Sequence, residues 1–358
     1  MDRMVAVINI AGRKIGPGHA CFIIAEAGVN HNGSLDMARR LIDAAVDAEA
    51  DAVKFQSFKA DQMVTAEAPK AEYQVQTTGS SESQLDMLRR LELSAEDHRL
   101  LMDYCLERNI LFMSSPFDHE SADLLDALNV EVFKIPSGEI TNFPLLSYVA
   151  GKGKPMVVST GMSFLSEVEA AVQVIEKAGN REFVLLHCVS NYPAAPGDIN
   201  LNAMRTMDTA FGVPVGYSDH TVGIEVPIAA VALGATVIEK HLTLDCTMPG
   251  PDHRASLEPE EFAAMVRGIR SVEAALGHGR KEPSPSELDT AAVARKSLVA
   301  AVDIPAGTKL KEEHIAIMRP GTGMSPSELP SVIGAVLNVA MVAGGLLAKE
   351  MLSGGESS

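Results

Sequence analysis

The chain has 358 residues, of which 46% are hydrophobic and 22% charged, enough to bury one large core and a smaller one. Its formal net charge of −17 argues against a nucleic-acid partner, which would select a basic face. No apolar run reaches the roughly 18 residues of a membrane span, and the N-terminal stretch lacks a signal peptide's apolar core. The four cysteines form no CxxC pair, so a reduced, cytoplasmic protein is expected.

Taken in chain order, VAVINIAGRKIG (5–16) reads as a β-hairpin suited to plug a barrel floor. Eight β-rich runs follow: CFIIAEAG (21–28), DAVKFQ (51–56), ILFMSSP (110–116), VFKIPSG (132–138), PMVVSTG (155–161), FVLLHCVS (183–190), VPVGYSDH (213–220) and TVIEKHLT (236–243). Helical patterns lie between most of them. Residues 34–48 open on Ser34 as an N-cap, 166–178 open on a Ser166/Glu169 capping box, and 258–276 repeat the apolar periodicity. Strand and helix alternating eight times predicts a (β/α)₈ TIM barrel over 1–277, and no GxGxxG follows the first strand to favour an open doubly wound sheet. Residues 278–292 read as a polar, proline-containing linker, 293–353 as a small strand-containing domain, and 354–358 as a tail.

Each predicted strand is apolar at its start and polar at its C-terminal end, the end where barrels of this kind build their sites. Lys54 and Lys134 lie inside apolar strands, where an ammonium needs an anionic partner. A bound phosphate or carboxylate would serve, with Ser115, Ser137, Ser159 and Ser218 adding hydroxyls; structural ion pairs with Glu26 or Glu139 are the competing reading. Those two acids are the candidate acid/base groups. His220 and His241 end neighbouring strands, and two imidazoles with open positions suit Mn²⁺, Zn²⁺ or Fe²⁺, against the plainer reading of rim histidines held by hydrogen bonds. Residues 246–259 read as a substrate loop, and Cys188 as a small core residue.

The motifs AEAGVNHNG (25–33), VKFQ (53–56), SSPFD (114–118), FKIPSGE (133–139), HCVSNYP (187–193), GYSDHT (216–221), IEKHLTLD (238–245) and GPDHRASLEP (250–259) resemble the N-acetylneuraminate (sialic acid) synthase family, which includes legionaminic and pseudaminic acid synthases and spore-coat polysaccharide synthases. The C-terminal part, with RPGTG (319–323), resembles the antifreeze-like SAF domain that accompanies it. The resemblance implies a domain-swapped homodimer that condenses phosphoenolpyruvate with an N-acyl hexosamine. N-acetylmannosamine ranks first as acceptor and a 2,4-diacetamido-6-deoxyhexose is the alternative. It implies Mn²⁺, with Mg²⁺ or Co²⁺ as substitutes, on His220 and His241. It places phosphoenolpyruvate on Lys54, Lys134 and the four serines, and the sugar on Gln56, Phe117, Tyr192, Asp252 and Arg319. Glu26 and Glu139 match its catalytic acids. One position departs from the N-acetylmannosamine-using pattern: Ser190 stands two residues after Cys188, where that pattern has Asn. A sugar-phosphate aldol synthase would need a second basic pocket that the strand ends lack, and a non-enzymatic sugar-binding protein would have no use for the paired lysines, acids and histidines.

Overall fold

A computed structural model of the chain describes residues 6–79 and 81–353. The chain divides into two compact units, one ending at Gly277 and one beginning at His278.

The first unit opens with a hairpin of β1 (Ile8–Ile10) and β2 (Arg13–Ile15). Its two-residue turn puts Ala11 at φ 50° and Gly12 at φ 81°, the positive angles that match a turn to the twist of its strands. All eight predicted parallel strands follow: β3 (Phe22–Gly28), β4 (Ala52–Ser57), β5 (Leu111–Pro116), β6 (Phe133–Ile135), β7 (Met156–Ser159), β8 (Phe183–Cys188), β9 (Val215–Asp219) and β10 (Val237–His241). Their order is β5-β4-β3-β10-β9-β8-β7-β6, so the last strand pairs with the first. β5 and β6 lie side by side at the seam, with no ladder between them among the described residues. This is the TIM-barrel arrangement expected.

Side chains on each strand alternate between helices and barrel axis. The outward set packs with the helices in the main core. The inward set near the strand starts, including Phe22, Ile24, Met113, Val157, Leu186 and Val237, forms one apolar cluster with Ile8, Ile10 and Ile15 of the hairpin. The hairpin therefore fills the floor. Two residues further along, the inward positions become Glu26, Lys54, Ser115, Lys134, Ser159, Ser218 and Glu239, all buried. The barrel interior changes from hydrocarbon to charge half-way up.

Ser34 caps the helix Leu35–Asp47 by accepting from Met37 N. The predicted Ser166/Glu169 box does not form. The helix runs Leu165–Lys177, and Glu167 reaches back to Phe164 N at 2.7 Å, so the start lies earlier than the Ser-x-x-Glu spacing suggests. Between β4 and the helix Ala95–Glu107 lie three short helices, Ala60–Met63, Glu72–Thr78 and Gln84–Leu91. Met87, Leu88 and Leu91 of this insert pack with Val29 and Phe58 as a small core of their own.

In the second unit the expected linker is partly helical: a turn at Pro285–Glu287 leads into a helix, Leu288–Ala294. Glu287 accepts from Ser284 N at 2.8 Å, and Pro285 sits at a first helical position, where its missing N–H costs nothing. β11 (Ser297–Ala300) pairs antiparallel with β12 (Ile315–Met318), and β13 (Val336–Leu337) with β14 (Leu352–Ser353), around a core that includes Leu298, Leu310, Val332, Leu337 and Leu347.

Candidate active site

A cavity of about 380 Å³ opens at the C-terminal end of the barrel strands. A larger one, about 620 Å³, lies at the strand starts beside Pro214, Ala235 and Thr236, and it gathers no comparable set of acids, lysines and imidazoles.

The floor of the site is a buried charge cluster. Lys54 Nζ lies 2.6 Å from Glu26 Oε2, 3.8 Å from Glu239 Oε2 and 3.1 Å from Ser115 Oγ. Lys134 Nζ lies 3.4 Å from Glu239 Oε1 and donates to Ser159 Oγ at 2.8 Å. Ser218 Oγ donates to Glu239 Oε1 at 3.0 Å, and Gln56 Nε2 to Glu26 Oε1 at 3.3 Å. Burial pushes the Glu26 carboxyl up to about 7, with Lys54 pulling against it and Glu239 adding to it. Burial also works on Glu239, but Lys134 and Lys54 outweigh it and hold that carboxyl below its usual range. Burial opposes the Lys54 charge, yet Glu239 and Glu26 more than compensate. Lys134 is held below the usual lysine range because burial wins there. Negative charge is thus concentrated on Glu239, between two ammonium groups, while Glu26 is poised to exchange a proton near neutrality. The ion-pair reading of the lysines is realised in part, with Glu26 for Lys54 and Glu239, not Glu139, for Lys134.

His220 and His241 stand above this floor with ring centroids 5.3 Å apart. His220 Nδ1 donates to Val189 O at 2.9 Å, so in the neutral ring Nε2 carries the lone pair; burial opposes this ring's charge, but Cys188 outweighs it and holds His220 above the usual histidine range. His241 Nδ1 is buried without a hydrogen-bond partner and lies 4.0 Å from Asp252 Oδ2. Burial, then His220 and the lysines, hold His241 well below the usual histidine range, so its imidazole is neutral. No group of three or more His, Cys, Asp or Glu converges as a metal cage among the described residues. Two imidazoles, one with an orphaned buried nitrogen, do fit a divalent ion that takes its other ligands from water and substrate.

The outer wall carries the expected sugar groups. Gln56, Phe117, Tyr192 and Asp252 all line the cavity. Tyr192 lies 4.1 Å from the His220 ring and stacks on Tyr73 at 5.0 Å. Burial raises the Asp252 carboxyl to about 6 against the pull of His220 and Lys54.

The sequence profile of the NeuB family matches residues 41–281, and that of the SAF domain matches residues 295–353. The chain belongs to the NeuB family. Two N,N′-diacetyllegionaminic acid synthases are each 49% identical to it. The Legionella pneumophila protein aligns over 333 residues, 92% of this chain and 94% of that protein. The Campylobacter jejuni protein aligns over 316 residues, 88% and 95% respectively. The crystal structure of N-acetylneuraminic acid (sialic acid) synthetase from Leptospira borgpetersenii in complex with citrate is 38% identical, with a TM-score of 0.72, covering 81% of this chain and 96% of that one.

In this NeuB chain, one expected site residue of the barrel stands apart from the cavity wall. Ser137 lines the cavity and accepts from Gly161 N at 3.0 Å, but Glu139, at the end of the turn Ser137–Glu139, does not line it; its carboxylate accepts from Asn142 Nδ2 at 2.6 Å. Arg319 is exposed within the SAF unit, its Nε donating to Ala294 O at 3.0 Å. Among the lining residues to which the sequence reading gave no role are Glu239, Cys188 and Tyr73. Glu239 sits two positions before His241, and strand alternation alone would have placed it on the same face. Cys188 is not only a core residue: its Sγ lies 3.7 Å from His220 Nδ1 on the cavity wall. Tyr73 arrives on the β4–β5 insert, and no strand-end signal points to it.

Proposed function

We propose that this chain is a nonulosonic acid synthase, condensing phosphoenolpyruvate with the open-chain aldehyde of an N-acyl amino sugar and water to give a 2-keto sugar acid and phosphate. The observation that carries this reading is the buried cradle of two lysines and three serines around Glu239, set beside Glu26 and two imidazoles.

C3 of phosphoenolpyruvate attacks the aldehyde carbon, and the aldehyde oxygen takes up a proton to become a hydroxyl. Positive charge develops at C2 and is captured by water, which gives up a proton. The resulting tetrahedral centre loses phosphate by C–O cleavage while the new hydroxyl gives up its proton to the departing phosphate, leaving the ketone. Lys54 and Lys134, with Ser115, Ser159 and Ser218, hold the phosphate and carboxylate, and much of the acceleration comes from aligning two reactants in one cavity. Glu26 is the group favoured to take the water proton: it is in the cavity, and its carboxyl is tuned to about 7.

Charge bookkeeping favours a cation here. The two ammonium groups already face two acids, so the site offers little net positive charge to a phosphate ester that also bears a carboxylate. A divalent ion on His220 and His241, Mn²⁺ first and Mg²⁺ or Co²⁺ as substitutes, would supply that charge and polarise the aldehyde oxygen.

For the acceptor, the outer wall favours a 2,4-diacetamido-6-deoxyhexose over N-acetylmannosamine. Val29, Met63, Met87, Leu88, Leu91 and Phe117 give that wall an apolar surface, which suits a C6 methyl and a second acetamido methyl better than a 6-hydroxyl. Ser190 lines the cavity at the position where the N-acetylmannosamine pattern has Asn. The two relatives at 49% identity carry the legionaminic name. N-acetylmannosamine remains the second reading because the relative solved at 38% identity is a sialic acid synthetase. Phosphate release from phosphoenolpyruvate with each sugar decides. The diacetamido sugar should exceed N-acetylmannosamine at least tenfold in kcat/KM, EDTA should abolish turnover, and Mn²⁺ should restore it. Equal or reversed sugar rates would return the assignment to N-acetylmannosamine, and no phosphate release with any hexosamine would overturn the condensation reading.

A further inference from the structure

The motif IEKH holds a third lysine that the chemistry above does not use. Lys240 points outward from the barrel between the inward Glu239 and His241, and it is wholly buried. Its Nζ lies 2.6 Å from Asp219 Oδ2, and Asp219, equally buried, stands between the inward Ser218 and His220. One ion pair therefore sits directly behind four groups of the site.

The pairing of β9 with β10 explains why that place matters. Their ladder matches Ile238 with Tyr217, Glu239 with Ser218 and Lys240 with Asp219, and goes no further. His220 and His241 lie immediately past the last matched pair. On the other side β10 continues, with His241 opposite Glu26 of β3. The His220 carbonyl accepts from Ala194 N at 2.8 Å, on the side of the segment that follows β8. The last matched pair thus lies one residue before the two imidazoles, and no matched pair lies at their own level.

At that last matched pair the ion pair adds a side-chain tie to the ladder. Asp219 accepts from Thr221 N at 3.0 Å, from Thr221 Oγ1 at 2.9 and 3.0 Å, and from Tyr217 OH at 2.9 Å. Lys240 Nζ also donates to the Thr221 carbonyl. His220 is thus bracketed: the residues on both sides of it are bonded to Asp219, Lys240 or both. Stability alone is a poor reason for such a pair, since replacing a buried ion pair by well-packed apolar residues is often neutral or stabilising. The neighbouring outward positions Tyr217, Ile238 and Leu242 already pack in the main apolar core.

We propose that the Asp219–Lys240 pair is a positioning element that sets the separation and orientation of the His220 and His241 imidazoles. The inference rests on the reading of those histidines as a cation site, and the test separates the two. The full-length double variant Asp219→Asn/Lys240→Met nearly keeps the volume and removes both charges, and the amide oxygen still accepts from Thr221 and Tyr217, so it should unfold within a few degrees of the parent. Its Mn²⁺ dissociation constant, read from the electron paramagnetic resonance of free Mn²⁺, should rise at least tenfold. In metal-free protein the imidazole ¹H–¹⁵N signals of His220 and His241 should move, while that of His119, exposed at the start of an outer helix of the barrel, stays. Should the double variant not fold, Asp219→Asn is read the same way, since it keeps the shape and weakens the tie. Parent-like Mn²⁺ affinity together with unmoved His220 and His241 signals in a folded variant overturns the proposal. If the parent itself takes up no Mn²⁺, the cation reading fails, and the imidazole signals alone decide whether the pair positions them.

Discussion

Glu26 Oε2 lies 2.6 Å from the Lys54 ammonium, yet burial dominates and lifts this carboxyl to about 7. A base must be ionised, so kcat/KM should rise with pH up to about 7 and level off above it. Glu26→Gln should remove that limb and lower kcat at least about 100-fold. The stability effect has the opposite sign. A carboxyl raised in the folded state contributes stability below its unfolded value, and that contribution is lost as pH rises through about 7. Glutamine mimics the neutral acid, so the variant should melt higher than the parent at pH 8 and by a smaller margin at pH 5. An unchanged pH profile in an active Glu26→Gln enzyme would assign the base elsewhere, with Glu139 next to be tested.

The two lysines should respond differently to removal. Lys54→Met and Lys134→Met should each raise KM for phosphoenolpyruvate or lower kcat at least about tenfold, roughly 1.4 kcal/mol of lost stabilisation. Lys54 is the main force pulling Glu26 down, whereas Lys134 acts on it only weakly. Lys54→Met should therefore also move the pH limb upward, and Lys134→Met should leave it nearly in place. Two variants that bind phosphoenolpyruvate as tightly as the parent would make both lysines structural.

What the sequence revealed follows from strand periodicity. All eight strands and their polar ends could be read because an inward residue recurs at every second position, which placed Lys54, Gln56, Ser115, Lys134, Ser159, Ser218 and His241 correctly in the cavity. Glu139 shows where that rule stops. β6 ends at Ile135, and the turn that follows carries Glu139 off the cavity wall to Asn142. The apolar sugar wall was invisible for a different reason. Its Met63, Tyr73, Met87 and Leu91 come from an insert whose own small core decides where it packs, and no local pattern encodes that distance. The helix start at Leu165 was misplaced because a Glu two residues closer satisfied the same backbone donor role.

Acid sensitivity should come partly from His31. It is fully buried, accepts from Gly33 N through Nδ1, and leaves Nε2 without a partner; burial lowers it to about 4. A histidine kept neutral by the fold contributes its full stability above the unfolded value of 6.5 and loses it as pH falls toward about 4. The loss should reach about 3 kcal/mol at the acid end. Denaturant unfolding from pH 7 to pH 4.5 should show the parent weakening more steeply than His31→Asn, whose side-chain oxygen can still accept from Gly33 N. Parallel slopes for the two proteins would exclude His31 as the titrating group.

Arg319 tests whether the sites are shared between subunits. It is exposed at the RPGTG turn of the SAF unit, with Nε donating to the Ala294 carbonyl. A planar guanidinium held in this way suits an N-acyl carbonyl or sugar hydroxyls. The plainer reading is that Arg319 only braces its own turn, and Arg319→Ala would then leave the KM for the sugar unchanged. In the proposed domain-swapped homodimer each barrel takes its arginine from the other chain. Arg319→Ala should then raise the KM for the sugar at least about tenfold with little effect on that for phosphoenolpyruvate. Mixing Arg319→Ala with Glu26→Gln through unfolding and reassembly separates the two arrangements. If the arginine crosses between subunits, each heterodimer holds one site with both lesions and one with neither, so activity should reappear on mixing. If each barrel uses its own arginine, every site keeps one lesion and the mixture stays as impaired as its parents.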